Sequence, residues 1–241
     1  VSQLFDAISY SKGASVIRML EQFLGPDVFQ KGLFQYLSAH QYGNARTEHL
    51  WSALESASGQ PVTSIMNSWT NQMGYPVLRV ESDSSGRDLE LTLHQERFVY
   101  DRLLGGDEQE SEVWRVPVAV SSGGNEPTST VMDGRQASMT VAQTATGTPW
   151  FKINPQQTGF FRVNYSAEGW ERLVPAINSL ELSATDRLGI QNDAYALSRA
   201  GLLSISQFLS MAYAYTNEND ASVWADLASN LRDVDVLLFN Q

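Results

Sequence analysis

Trp69-Thr70-Asn71-Gln72-Met73-Gly74-Tyr75-Pro76-Val77 is where the chain changes its hydrophobic period. Before it, Ile65, Met66, Trp69 and Met73 recur at helical spacing, and Gly74 stands at a C′ position, where helices commonly turn left-handed. After it the period is two. Leu89, Leu91 and Leu93 alternate with polar residues, as do Trp114, Val116, Val118 and Val120. That alternation predicts half-buried strands.

Working back toward the N-terminus, the helical period holds throughout. Ile8, Val16, Ile17, Leu20, Phe23 and Leu24 make one face, stopped by Gly25-Pro26. Asp27 is placed to cap the next helix, whose apolar set is Phe29, Leu33, Phe34 and Leu37. Thr47 offers an N-cap to a third helix carrying Leu50, Trp51, Leu54 and Ala57, which Gly59-Gln60-Pro61 breaks. Residues 1–74 therefore read as a packed set of helices.

Working forward, further short strands are expected at 77–80, 128–132, 137–141, 150–153 and 160–165, separated by Gly- and Ser-rich turns. Seven or so short strands in about 90 residues predict a small antiparallel β-sandwich over residues 75–166. From Ala167 the helical period returns. Trp170, Leu173, Val174 and Ile177 share a face, Ser183 caps a helix that Gly201 ends, and two more helical stretches follow. Residues 167–241 read as the start of a solenoid-like helical domain, cut short.

The bulk properties narrow the function classes. The 241 residues carry a net charge of −11, from 27 acids against 16 bases, which opposes binding to a phosphate backbone. No apolar run reaches the length of about 18 residues that a membrane span needs. Cysteine is absent, so neither a disulfide framework nor a thiolate zinc site can form. This favours a reducing, cytoplasmic compartment but is also met in secreted domains. Asn164-Tyr165-Ser166 is a glycosylation sequon within an expected strand.

Candidate chemistry is sparse. The three histidines, His40, His49 and His94, show no metal-ligand spacing, and no His-Glu-x-x-His occurs. Ser9-Tyr10-Ser11-Lys12 fits the short S-x-x-K pattern of a lysine-activated serine, without the companion motifs of that class. The acidic stretch 107–112 reads as a solvated turn. Judged by composition and spacing, Tyr10 is an ordinary tyrosine at a helix start.

A resemblance changes its weight. Phe5 to Leu20, F-D-A-I-S-Y-S-K-G-A-S-V-I-R-M-L, is similar to the segment just downstream of the zinc site in the large gluzincin aminopeptidases of the alanyl and puromycin-sensitive type. Four more blocks follow in the family's order. They are Trp69 to Val77 at the junction of catalytic and sandwich domains, Gln95 to Phe98 in an early sandwich strand, Gly159 to Tyr165 at the sandwich exit, and Asp186 to Ala194 at the opening of the helical domain. The implied fold is multidomain: the helical end of a thermolysin-like catalytic domain, a small β-sandwich, and the first part of an α-helical domain.

The resemblance implies removal of N-terminal residues from peptides by a zinc enzyme. Tyr10 takes the position of the tyrosine that donates a hydrogen bond to the oxyanion of the tetrahedral intermediate. A phenol, with a reference pKa of about 10, is a neutral donor at pH 7. Phe5 takes the position lining the pocket for the substrate's first side chain. The zinc ligands, the general base and the loop holding the substrate's α-amino group lie upstream in the family. The expectation is thus a piece of an aminopeptidase that binds no catalytic zinc and is inactive alone, with the rest of the catalytic domain as its partner. Its helices should then expose an apolar face. The alternative is a non-enzymatic module that binds a protein partner through sandwich and helices.

Overall fold

The computed structural model describes residues 8–83, 88–100, 112–123, 126–142 and 150–239. Ile8–Lys12 form a π-helical turn that runs directly into α1 (Gly13–Leu24). Helices α2 (Pro26–Ala39), α3 (Thr47–Ser58) and α4 (Val62–Thr70) follow. Val16, Leu20, Trp51, Leu54, Ile65 and Trp69 are buried, as their spacing predicts.

Four local expectations fail for physical reasons. Helix α4 ends at Thr70 with Asn71 as its cap, so Gly74 is not its C′ residue, and Met73, counted with its apolar face, is 73% exposed. Helix α2 begins at Pro26, with Gly25 in the cap position and Asp27 inside the first turn. Proline suits that first position because its missing N–H would have had no partner there. Helix α3 begins at Thr47, so Arg46 holds the cap position, and the Arg46 backbone N–H donates to His49 Nδ1 at 3.3 Å. Phe34 and Leu37 are not core residues. They are 71% and 62% exposed.

Seven strands follow: β1 (Pro76–Asp83), β2 (Leu89–Arg97), β3 (Val116–Ser122), β4 (Thr128–Met132), β5 (Gln136–Val141), β6 (Phe151–Ile153) and β7 (Arg162–Tyr165). They build a four-stranded sheet, β5-β2-β1-β7, and a three-stranded sheet, β4-β3-β6. Leu89, Leu91 and Leu93 of one sheet and Val116, Val118 and Val120 of the other are buried in one continuous core. The expected antiparallel pairing has an exception. β7 runs parallel to β1, with Val77 opposite Arg162 and Val80 opposite Tyr165. The intervening chain passes through all the other strands, which gives it the length a parallel return requires.

Buried polar groups lock α4 to the stretch leading into β3. Trp69 Nε1 donates to the Arg115 carbonyl at 2.9 Å, and Arg115 N donates to Ser68 Oγ at 3.0 Å. Gln95, buried in β2, holds the same stretch from the other side. Its Nε2 donates to the carbonyls of Trp114 and Gly134, and its Oε1 accepts from Trp114 N at 2.9 Å.

The C-terminal helices are α5 (Ala167–Asn178), α6 (Ala184–Arg199), α7 (Ile205–Ala212) and α8 (Ala221–Phe239). Ser166, Ser183 and Ser204 cap the first three, each accepting from a backbone N–H three residues on. Helix α6 lies against α7, α8 and β7 and is buried on most sides. Its polar residues must therefore be paired inside the protein. Arg187 does this with a bidentate contact to Glu218, Nε to Oε2 and Nη2 to Oε1 both at 2.6 Å. Glu218 also accepts from Asn219 N and Asp220 N.

The Arg187 hydrogen bonds hold the Glu218 carboxyl below its ordinary pKa, against the opposing effect of burial. A depressed carboxylate pKa stabilises the fold above the unfolded value and loses that contribution as pH falls through the folded one. Glu218→Gln should lower stability at neutral pH and flatten the loss between about pH 5 and about pH 2. Urea midpoints of the two proteins, measured across that range, check this.

Candidate functional site

Tyr10 sits in the middle of the π-helical turn and is 56% exposed. A π turn admits one extra residue per hydrogen-bonded turn, is rarely stable by itself, and is frequent at functional sites. Two residues on, Lys12 turns the other way. Its Nζ donates to the carbonyls of Gln72 and Gly74, both at 3.2 Å. Those carbonyls belong to the turn joining α4 to β1. Gly74 takes φ +85°, a left-handed conformation that L side chains rarely adopt.

Beside this contact lies a cavity of about 630 Å³, walled by Ser11, Lys12, Gln72, Gly74, Tyr75 and Phe160 among others. The Tyr75 ring stacks on Phe98 at 5.5 Å and meets Phe160 at 5.0 Å. Burial pushes the Tyr75 phenol pKa up, opposed by the nearby Arg162 guanidinium, so it stays neutral. Arg162 in turn donates to Asp193 Oδ1 on α6 at 3.1 Å, and Val163 N donates to Asp193 Oδ2 at 3.2 Å. The cavity wall is thus wired to the C-terminal helices.

A second cation lies deeper. Lys152 is 1% exposed on its side chain, donates to the carbonyls of Ile153 and Asn154 at 2.6 and 2.9 Å, and stands 3.9 Å from Asp186. Burial lowers its pKa, while Asp186 and Asp193 oppose that shift. Asp186 also accepts from Gln156 N at 2.7 Å, which fastens the short 3₁₀ turn Pro155–Gln157 to α6.

The other candidates fare differently. Phe5 lies outside the described residues. In the S-x-x-K pattern, Lys12 has two of its protons committed to carbonyls, which leaves it an anchor rather than a base for serine activation. The rings of His40 and His49 stack at 4.4 Å. No group of three or more His, Cys, Asp or Glu that could hold a metal occurs among the described residues. Nor is any described helix long and apolar enough to cross a membrane.

Comparison with known proteins identifies the setting of this geometry. Residues 1–69 match the Peptidase family M1 domain, and residues 150–241 match the ERAP1-like C-terminal domain. The chain belongs to the M1 aminopeptidase family. It is 40% identical over 228 residues to the puromycin-sensitive aminopeptidase of Caenorhabditis elegans, covering 93% of this chain and 24% of that protein. It is 36% identical over 234 residues to the glutamyl aminopeptidase of Rattus norvegicus, with 95% and 24% covered. With Aminopeptidase M1-C of Oryza sativa subsp. japonica the identity is 39% over 236 residues, covering 95% and 26%. The chain spans about a quarter of the length of these M1 relatives. The M1 family is zinc-dependent, and the described residues of this chain offer no donor set that fits the metal.

Tyr75, Lys152, Arg162 and Asp193 carry no catalytic pattern in the sequence. The one signal is indirect: Lys152, Arg162 and Asp193 are charged residues inside two strands and a helix whose neighbours are buried.

Asp193 is carried as a buried carboxylate at a cost. Burial raises its pKa, opposed first by Arg162 and then by Lys152. Removing Arg162 leaves that charge without its nearest partner. Arg162→Leu should destabilise the chain by about 3–5 kcal/mol at neutral pH. An acid whose folded pKa is raised binds its proton more tightly when folded, so the Arg162→Leu deficit should shrink as pH falls. Urea unfolding at pH 7 and pH 5 tests both statements.

Proposed function

We propose that this chain supplies the oxyanion-stabilising tyrosine of a zinc aminopeptidase that removes N-terminal residues from peptides, together with the frame behind its substrate chamber. Residues 1–74 are read as the helical end of the catalytic domain, 75–166 as a β-sandwich, and 167–241 as the start of the helical C-terminal domain. The observation that carries this reading is the placement of Tyr10. Its phenol-bearing side chain is exposed, on a π-helical turn whose opposite side is tied down by Lys12.

When a carbonyl carbon is attacked, negative charge collects on its oxygen. A neutral phenol aimed at that position donates a hydrogen bond that strengthens as the charge grows. Such a donor accelerates the reaction because it stabilises the transition state more than the bound substrate. Phe5, by family resemblance, lines the pocket for the first side chain. The metal and the general base come from residues that the described part of this chain does not contain, and the catalytic domain is complete only with them. The outward apolar face at Phe34 and Leu37 suits packing against such a neighbouring part.

Tyr10→Phe in the full-length enzyme should lower kcat by about 100- to 1000-fold. KM and the thermal midpoint should hardly move, since the ring is retained. Steady-state kinetics on an amino-acid anilide decide it, and an unchanged kcat removes Tyr10 from the mechanism. The 241-residue chain incubated with zinc should show no turnover of the same anilide. Turnover abolished by a chelator would mean that a metal site assembles from this chain.

A further inference from the structure

A side chain two residues from Tyr10 makes the contact that orients its turn. Residues at i and i+2 of a helical turn do not face each other. Tyr10 accordingly points outward while Lys12 points back into the junction between α4 and β1. We propose that Lys12 is a positioning residue for Tyr10: its ammonium bridges the π-helical turn to the carbonyls of Gln72 and Gly74, and so sets where the phenol is presented. This rests on the reading of Tyr10 as the oxyanion donor.

The anchor at the far end is well suited to the task. Gln72 is fixed through its own side chain, whose Nε2 donates to the carbonyls of Ser68 and Val113 at 2.8 and 3.0 Å. The left-handed Gly74 bends the chain so that two carbonyls, 72 and 74, converge on one cation. Glu112, paired with Arg97 at 3.3 Å, adds an attractive charge on the same side. Two carbonyl acceptors plus a nearby carboxylate suit a cationic donor, here an ammonium with three donors on a flexible stem. A single π turn, rare outside the bulges of α-helices, gains from such an external tie. The tie also makes the placement of Tyr10 depend on the junction with the strands, about 60 residues downstream.

The test is a double-mutant cycle in the full-length enzyme, with kcat, KM and thermal midpoint measured for each variant. Lys12→Met keeps the stem and removes the donors. It should lower kcat roughly 10- to 100-fold with KM little changed, as expected of a misplaced catalytic group. Lys12→Arg, which can still serve two carbonyls, should recover most of the loss. In the Tyr10→Phe background, Lys12→Met should cost less than about threefold, because residues acting through one another are not additive. Should Lys12→Met not fold, Lys12→Gln, with one remaining donor pair, takes its place in the cycle. An unchanged kcat in Lys12→Met overturns the inference. So does a loss of equal size in both backgrounds, which marks a purely structural role. If Tyr10→Phe lowers kcat and Lys12→Met does not, only this inference fails. If Tyr10→Phe leaves kcat unaltered, the functional reading fails and takes the inference with it.

Discussion

The buried carboxylate of Asp193 is the constraint on which the arrangement of strands and C-terminal helices depends. An isolated ionised carboxylate cannot be buried without a large desolvation cost. Here it is matched by the Arg162 guanidinium and the Val163 N–H from β7, with the Lys152 ammonium opposing the cost from a little farther off. Asp186, two turns earlier on α6, faces the same lysine and holds the Gln156 backbone. Two acids on one helix and two bases on two strands fit in one register only. Sliding α6 by a turn would leave at least one of these charges buried and unpaired. The fit is close in the steric sense too. A Cβ at Gly189, between the two acids, would lie 1.6 Å from Gln157 Nε2. Buried ion pairs contribute little net stability, but they penalise the alternatives heavily.

That register has consequences at the other end of the molecule. Arg162, held by Asp193, is the partner of the Tyr75 phenol, and Tyr75 walls the cavity beside the Tyr10 turn. The same short turn that carries Tyr75 presents the carbonyls that Lys12 holds. The α4–β1 turn thus faces Arg162 from the side of the C-terminal helices and is held by Lys12 from the π-helical turn. Trp69, Ser68 and Gln72 fasten α4 to residues 113–115 just beneath it. The segments read as three domains meet at this turn through directed polar contacts, while apolar burial fills the space between them.

The sequence exposed the outline of this fold because period and punctuation are local. The period-two run at 89–93 became a strand, as did 116–120 with Trp114 left just before it, and Ser183 caps the helix it was expected to cap. What failed was decided by distant partners. Nothing near Phe34 and Leu37 distinguishes an outward apolar face from a core face, because that depends on what packs against the helix. The parallel return of β7 beside β1 is a property of an 80-residue excursion, roughly, and no local pattern records it. Arg46 displaced Thr47 as cap because a histidine side chain three residues on offers its ring nitrogen to the backbone. In the site, Tyr10 is singled out by family likeness alone, and its role is the one proposed above. Its support is not legible in the sequence, since Lys12 reads as an ordinary surface cation until the fold brings Gln72 and Gly74 to it.

The same contacts bear on how an exposed tyrosine can act as a preorganised donor. A hydrogen bond to a developing oxyanion accelerates a reaction only if its donor needs little reorganisation when the charge appears. As the proposed donor, Tyr10 would not achieve this by burial, since more than half of its surface is open. The alternative is to fix the backbone from which it projects and leave the ring accessible. Fixing φ and ψ of one residue costs about 1–2 kcal/mol of conformational entropy, and a tyrosine ring has only two further torsions to settle. Most of the ordering is therefore complete once the turn is anchored. A π turn tied by one ammonium to two carbonyls would provide that anchor while the Tyr10 side chain stays more than half exposed. An accessible side chain on an immobilised backbone is what a group that must meet substrate and then release product requires.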